Sequence, residues 1–534
     1  MAQSLTNNSG LNMARESSLK TLPGSPDWKA LEPNSIDTYG AEYQNTPRNP
    51  ISDLRQRRKG TQTGRDDALE FEADVTMDSL DDFVESFVFA TAVNADMVFR
   101  GVNAQASTSG YVIPAATAAQ AAKFQYTSGG PISLVHAVGY ATAANNSPDT
   151  VKPLSADVAS TDTLIPVAGL SDETAPTNAE VVLAGIRAEA GDLALAVSGN
   201  IATLSSGNNS AVNNIDFTTL GLTAGQVIHV GGLTASNRFG STAGGSNDSY
   251  GPMRIRTIAA GAITGDKLAS TLTASDGTDT GSSGSNVAVD LLFSRFIRNV
   301  RSSDSDYNRI SFHFEAKYAE LYETEPPTPV ANPDGFEYVT GAVVNELNMD
   351  LPLRDKATMT ATLIASETED IVDNASRKSG ASAARSPLRT EAINTSGNLV
   401  RLQIADTDDT VLTTDLTNVT MSITNNVAPE FILGQYGARY INNGNFEVSI
   451  EATTLFNSVT PTVRVNANTT VTADWIFRND DGAAHFDLPS CQVSSPGKEF
   501  TANETIKLNL QLETFVDSLL ETSLGVSLFP VYPS

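Results

Sequence analysis

The sequence predicts a mainly β protein with one amphipathic helix, and three observations support this fold class. Only 18% of the residues are charged and 40% are hydrophobic, and the remainder is largely Thr, Ser, Asn and Gly, a composition typical of short strands joined by polar turns. Apolar and polar residues alternate in many short runs, which is the period of a half-buried strand. A clear helical period occurs in one stretch, at residues 80–88.

A strand and this helix follow each other directly within residues 67–90. From Leu69 to Met77 apolar and polar residues alternate strictly, which predicts a strand with one buried face. Five apolar residues after it share one stripe of the helix: Leu80, Phe83, Val84, Phe87 and Val88. Ser79 is the expected N-cap, because its hydroxyl can accept a hydrogen bond from an N–H of the first turn. We expect strands from the far end of the chain to cover both apolar faces.

Residues 1–66 are predicted to form an extended N-terminal arm, because they are polar, contain spaced prolines and show no persistent period. The arm ends in a basic segment with four cations: Arg55, Arg57, Arg58 and Lys59. One interpretation is a contact with nucleic acid, and the other is a solvated loop or a contact with an acidic protein surface. The formal net charge of -28 favours the second interpretation.

The middle of the chain, residues 116–290, is predicted to form an inserted β-rich domain, a small β-barrel or sandwich. Short strand patterns occur at residues 181–186, 225–230 and 252–258, and glycine-rich turns separate them. Strand patterns become denser after residue 291. Residues 67–115 and 291–534 are therefore predicted to build a core β-sandwich flanked by the helix.

The clearest hairpin signal lies at residues 438–452. Two alternating runs, residues 438–441 and 446–452, flank the dipeptide Asn443-Gly444. This dipeptide supplies the positive φ angles that tight hairpin turns need. We therefore predict that the two runs pair with each other around it.

The net charge limits the classes of partner. A protein that grips nucleic acid needs Lys and Arg to replace phosphate counterions, whereas this chain has a sequence pI near 4.4, so DNA could pass it without sticking. A single cysteine, Cys491, excludes an intrachain disulfide. We expect no signal peptide, because the N-terminus has no basic start followed by an apolar run. We expect no membrane span, because no run of about eighteen apolar residues occurs.

No constellation of catalytic, cofactor-binding or metal-binding residues is predicted, and we expect no enzymatic activity. The four histidines are far apart and lack metal-site spacing: His136, His229, His313 and His485. Carboxylates cluster at residues 304–306 and 406–409, which raises the question of calcium, but neither cluster resembles an EF-hand loop. Surface turns are the favoured interpretation. The predicted functional residues are core and assembly contacts: Arg55, Arg57, Arg58, Lys59, Leu80, Phe83, Val84 and Phe87.

Three stretches, in this order, resemble the major tail tube proteins of long-tailed bacteriophages. The first is the basic segment with the strand and helix, residues 55–90. The second is residues 418–456, where a strand, an Asn-Asn bend, a glycine-flanked loop and the hairpin pattern follow one another. The third is Phe486-Asp487-Leu488-Pro489 with the strand pattern at residues 507–514. Residues 217–232 and 252–258 also look like the small β-domain that some members carry inserted.

This resemblance implies a tail-tube-type β-sandwich with one flanking helix, assembled as hexameric rings. It implies that the rings stack around a tape-measure protein, meet tail terminator and baseplate or tip proteins, and let DNA pass without specific binding. The expected location is the virion tail, after assembly in the host cytoplasm, without cofactor or membrane. The alternative is a β-rich surface adhesin or decoration protein for a host receptor or carbohydrate. An aromatic content of 7% weighs against it, because sugar sites usually stack on aromatic rings.

Overall fold

The computed structural model is mainly β, with 54% strand and 7% helical residues in several antiparallel sheets, which confirms the predicted fold class. It describes residues 9–48, 51, 56, 58–93, 98–102, 106–107, 109–126, 131–140, 151–172, 179–206, 215–239, 248–273, 288–319, 334–406, 411–413, 415–456, 463, 468–502 and 505–533. Within these ranges, no helix has the length and apolar character that a membrane crossing requires.

The α-helices with described bounds are α1 (Met77–Val88) and the short α2 (Ala118–Ala121). The strands are β1 (Gly10–Arg15), β2 (Trp28–Leu31), β3 (Pro33–Arg48), β4 (Arg58–Asp74), β5 (Val98–Val102), β6 (Ala106–Ser107), β7 (Gly110–Val112), β8 (Ile132–Val138), β9 (Lys152–Pro153), β10 (Leu164–Pro166), β11 (Ala179–Ala188), β12 (Leu193–Ser198), β13 (Ile201–Ser206), β14 (Val227–Val230), β15 (Gly251–Ala259), β16 (Ala262–Lys267), β17 (Val289–Phe293), β18 (Arg295–Arg298), β19 (Phe312–Tyr318), β20 (Gly335–Leu351), β21 (Thr358–Ala365), β22 (Glu367–Thr368), β23 (Leu399–Asp406), β24 (Val411–Thr413), β25 (Leu416–Thr424), β26 (Ala428–Glu430), β27 (Tyr440–Asn442), β28 (Glu447–Leu455), β29 (Val471–Asn479), β30 (Gly482–Glu499), β31 (Lys507–Thr514) and β32 (Gly525–Phe529).

The chain divides into two compact units, each built from three segments. Unit 1 comprises Met1–Phe89, Tyr307–Pro387 and Thr417–Ala452. Unit 2 comprises Ala90–Asp306, Leu388–Leu416 and Thr453–Ser534. This division describes compactness, and the domain boundaries at residues 66, 115 and 290 stay a prediction.

Unit 1 is organised around the long strand β20. This strand pairs antiparallel with β19, β21 and β25. Beyond β21 lies β4, and beyond β4 lies β3. On the other side, β19 pairs with β1, which pairs with β2. The α1 helix packs against β20. Strand β4, which precedes α1 in sequence, belongs to the same sheet as β20, so β4 and α1 share one core.

The first part of the chain, predicted as an extended arm with no persistent period, contributes β1, β2 and β3 to unit 1. Leu11 and Trp28 on these strands are buried. β1 pairs with β19, which begins some 300 residues later, at Phe312, and β2 pairs with β1. Local periodicity could not reveal these strands, because most side chains of β3 are exposed and show no alternation.

The prediction of a hairpin around Asn443-Gly444 is wrong. Strand β27 pairs with β26, in a register that sets Ile441 opposite Pro429, rather than with the strand that follows it. Gly444 instead packs against an earlier bend: its N–H donates to the Asn425 carbonyl oxygen at 3.1 Å. A Cβ on Gly444 would lie 2.2 Å from the Asn426 carbonyl oxygen, so a glycine is required here for a close approach between two segments.

Unit 2 contains a sheet of strands in the order β12-β13-β16-β15-β14-β17-β11-β8-β9, with β5 also on β11. The strands predicted at residues 181–186, 225–230 and 252–258 correspond to β11, β14 and β15. A second group is centred on β30, which pairs with β29, β31 and β32. Two apolar clusters fill the first sheet region, one around Phe99 and Phe124 and the other around Phe217 and Phe293.

Buried His229 on β14 makes the stability of unit 2 dependent on pH. Its Nδ1–H donates to the Gly231 carbonyl oxygen at 2.9 Å, and burial lowers the pKa of the imidazole to about 4. In the unfolded chain this imidazole has its ordinary pKa near 6.5. Acid therefore protonates the unfolded state first, and the stability that is present above about pH 6.5 is lost as the pH falls toward about 4. We expect the free energy of unfolding to drop by about 3 kcal/mol through this group.

Urea unfolding of the wild type and of His229→Gln, followed at both ends of this pH range, checks the prediction. Carboxylates titrate in both proteins and therefore cancel in the comparison. The variant should lose less stability on acidification. An identical pH dependence in the two proteins would contradict the predicted role of His229.

Candidate assembly surfaces

Helix α1 begins with a capping box at Thr76. The Thr76 hydroxyl accepts from the Ser79 backbone N–H at 3.1 Å, and the Ser79 hydroxyl accepts from the Thr76 N–H at 2.9 Å. The predicted N-cap, Ser79, is therefore the third residue of the helix, and the prediction was wrong by one turn. In the sequence Thr76 continues the polar positions of the alternating strand, so the alternation did not indicate that it caps the helix.

The apolar stripe of α1 lies in the core of unit 1. The four predicted contacts on this stripe are all buried: Leu80, Phe83, Val84 and Phe87. The ring of Phe83 lies 5.6 Å from that of Phe71 on β4 and 6.3 Å from that of Phe312 on β19, between ring centroids. The stripe therefore packs on strands of its own unit.

The polar face of α1 is covered as well. Arg15 on β1 forms an ion pair with Glu85 at 2.6 Å, and Lys29 on β2 forms one with Asp78 at 3.6 Å. At the end of the helix, the Asn425 side chain donates to the Phe87 carbonyl oxygen at 2.9 Å. A buried charge needs a partner, so the first two strands serve as a charged cover for the helix.

Arg58 and Lys59 of the basic segment begin β4, which forms a long antiparallel hairpin with β3. The two strands stay paired from Pro33 opposite Ala73 to Arg48 opposite Arg58. Arg58 and Lys59 are exposed at the far end of β4. Arg55 and Arg57 lie outside the described residues.

The hairpin has two distinct halves. In the base, Asp67 anchors the strand, because it accepts from Arg65 Nε at 2.9 Å and from Thr368 Oγ1 at 2.7 Å, and β4 also pairs with β21 from this residue onward. We call residues 42–48 and 58–66 the distal hairpin. Its strands pair with each other, and at about 3.4 Å per residue they extend about 27 Å. Near its base, the Arg65 N–H also donates to the Tyr436 carbonyl oxygen at 3.1 Å.

The distal hairpin has the opposite charge to the chain as a whole. Residues 42–48 and 58–66 contain four Lys or Arg and two Asp or Glu, in a chain of net charge -28. A two-stranded ribbon is only marginally stable by itself in water, and exposed strand edges readily accept partners. The distal hairpin therefore suits contact with an acidic protein surface.

A second exposed feature of unit 1 was missed by sequence reasoning. Residues 431–436, between β26 and β27, form what we call the apolar loop. Its exposed large side chains are Phe431, Ile432, Leu433 and Tyr436. The signal was present as three consecutive apolar residues between Pro429 and Gly434, too short to show a strand or helix period.

The carboxylates and the cysteine considered as functional candidates have structural roles where they are described. Among the described residues, no group of three or more His, Cys, Asp and Glu could hold a metal ion, and Asp408 and Asp409 lie outside that part of the chain. Asp304 accepts from the Arg301 N–H at 3.0 Å, which is a turn contact. Cys491 is buried, and burial raises the pKa of its thiol well above the usual range.

Unit 1 is mainly β and exposes a two-stranded hairpin and an apolar loop. Both features are typical of proteins that bind other protein chains. A model of the family described as phage tail tube protein matches residues 225–513, more than half of the chain. The chain therefore belongs to the phage tail tube protein family, a structural family whose members self-assemble in the virion tail. No curated protein matches it.

Proposed function

We propose that the chain is the major tail tube subunit of a long-tailed phage, and that its copies form hexameric rings stacked into the conduit for DNA. Family membership is the observation that carries this proposal. The alternative of an adhesin or decoration protein has no comparable support. We further propose assembly in the host cytoplasm around a tape-measure protein, with terminator and baseplate or tip proteins at the two ends, and no enzymatic activity or cofactor.

The net charge of -28 supports a conduit that DNA slides through without specific binding. Phosphates would bind to a wall rich in Lys and Arg, because such binding releases counterions. An acidic surface avoids this retention. The same charge makes copies of the chain repel one another, so the proposed tube needs local contacts that overcome the repulsion.

The distal hairpin is the proposed contact that overcomes it. Arg58 and Lys59 are exposed on a ribbon that extends about 27 Å beyond the sheet strands that support its base. An acidic surface on a second copy would complement these cations. Arg55 and Arg57, which lie outside the described residues, are proposed to belong to the same contact.

Charge reversal at the hairpin tests this contact. We expect purified wild-type protein to form rings or tubes in negative-stain electron microscopy, and Arg58→Glu with Lys59→Glu to abolish them at low salt. The reversal replaces attraction to an acidic copy by repulsion. As a matched control, Arg301→Glu reverses an exposed cation in unit 2 and should leave assembly unchanged.

Two outcomes would count against the proposal. Wild-type protein that stays monomeric at high concentration would remove the support for a self-assembling tube. Assembly of the reversed double variant at the wild-type concentration would leave the tube in place and exclude the hairpin cations as its contact.

A further inference from the structure

The apolar loop combines a high exposure with a rigid base. Leu433 is 103% exposed, and Phe431, Ile432 and Tyr436 are exposed beside it. Single exposed apolar residues are common on proteins, whereas a contiguous group of large ones marks a contact site. Tyr440, on the strand that follows the loop, is exposed as well.

The base of the loop is held by close contacts within unit 1. The Ser366 hydroxyl donates to the Ala438 carbonyl oxygen at 2.5 Å, and the Arg65 N–H donates to the Tyr436 carbonyl oxygen at 3.1 Å. Gly437 fits so tightly that a Cβ would lie 2.6 Å from the Ser366 carbonyl oxygen. Ile441 just beyond is buried in an apolar cluster. The exposed side chains are therefore presented on an ordered turn.

An ordered turn loses little conformational entropy when it binds, so its apolar area contributes more fully to affinity. Aromatic residues and Arg dominate the energetic centres of interfaces. The loop offers Phe431 and Tyr436, and exposed Arg439 lies over the Tyr440 ring with its guanidinium carbon 5.7 Å from the ring centroid. This composition is that of a protein-binding surface.

We propose that the apolar loop docks on a second copy of this chain, as a contact between subunits of the assembled tube. This inference rests on the proposed function and adds a second surface, which adjoins the distal hairpin at Arg65. Charge selects the occupant: residues 431–437 carry no charge, in a chain of net charge -28. Two copies of so acidic a chain repel each other least where the contacting surface carries no charge. The neighbouring cation Arg439 adds attraction to the acidic second copy.

The test compares two exposed leucines of unit 1. Leu433→Ser removes the most exposed side chain of the loop, and Leu353→Ser makes the same change at a 65% exposed turn elsewhere in the unit. Both variants should fold as the wild type does, because neither side chain is buried. We expect the concentration needed for tube formation to rise about tenfold or more for Leu433→Ser alone, measured by sedimentation and electron microscopy.

A photo-crosslinker at position 433 identifies what the loop touches. Tubes are grown from a mixture of unlabelled and nitrogen-labelled protein, irradiated and digested. Crosslinked peptides that join a light and a heavy chain come from different copies. We expect such mixed peptides from position 433, and few or none from position 353.

The outcomes separate this inference from the proposed function. Wild-type tubes with unchanged assembly of Leu433→Ser and no mixed peptides would overturn the role of the loop and leave the tube intact. A wild-type protein that never assembles would overturn the proposed function and this inference with it. Binding of the wild type to anionic lipid vesicles, lost in Leu433→Ser, would also overturn it, since the occupant would then be a membrane.

Discussion

Phe83→Asp is expected to unfold unit 1 and give insoluble or unassembled protein. The side chain is 1% exposed and contacts the rings of Phe71, Phe87 and Phe312. Truncating a buried Phe to Ala already costs about 3–5 kcal/mol, and a carboxylate without a partner adds to that cost. Because a domain is stable by only about 5–15 kcal/mol, the substitution should remove most of the stability of this unit.

Tryptophan fluorescence reports each unit separately. The chain has two tryptophans, and both are buried, Trp28 in unit 1 and Trp475 in unit 2. In a Trp475→Phe background, Phe83→Asp should shift the Trp28 emission toward that of the unfolded chain.

Phe83→Leu, which keeps an apolar side chain, should retain a folded unit 1 with a lower unfolding midpoint. Leu353→Asp, at an exposed position, should behave as the wild type. A soluble Phe83→Asp variant that assembles normally would show that α1 does not depend on this contact.

The second large effect is expected for Arg254→Met in unit 2. The Arg254 guanidinium donates to Asp487 at 2.8 Å and to Asp266 at 3.0 Å. Burial alone would lower the pKa of Arg254, but the two carboxylates outweigh it and raise the pKa above its ordinary value. Removing the cation leaves Asp487 buried without this partner, whereas Asp266 keeps its ion pair with Arg256 at 2.5 Å. We expect a loss of about 3–5 kcal/mol.

Denaturant unfolding followed by Trp475 emission measures this loss. Arg301→Met is a matched control, because Arg301 pairs with Glu521 at 3.4 Å on the surface and such pairs contribute about 0–1 kcal/mol. Arg254→Met combined with Asp487→Asn should recover part of the loss, since the double variant has no unpaired charge at this position. Equal losses for Arg254→Met and Arg301→Met would refute the importance of the buried pair.

Local periodicity was sufficient for the elements whose burial follows a simple pattern. The alternation from Leu69 to Met77 and the helical stripe at Phe83 and Phe87 predicted β4 and α1, because each has one apolar face with a regular period. The same method failed for β3, where most side chains are exposed and the partner strand alone defines the element.

The contacts of polar residues were the hardest feature to predict from the sequence. Arg254 occupies a polar position of the alternating strand β15, and the alternation predicts that its side chain faces water. It lies instead among buried carboxylates from β16 and β30. Asn443-Gly444 had the composition of a hairpin turn, yet it packs against a bend near Asn426. In both cases the deciding contact comes from a distant segment, which local composition does not encode.

The buried position of Cys491 has a practical consequence for labelling. It is the single thiol of the chain, and the raised pKa of that thiol keeps it protonated and unreactive. A cysteine introduced at any exposed position would therefore be the only one that maleimide reagents modify in the folded protein. Fluorophores, spin labels or gold clusters could thus be attached at one chosen site without first removing the native cysteine.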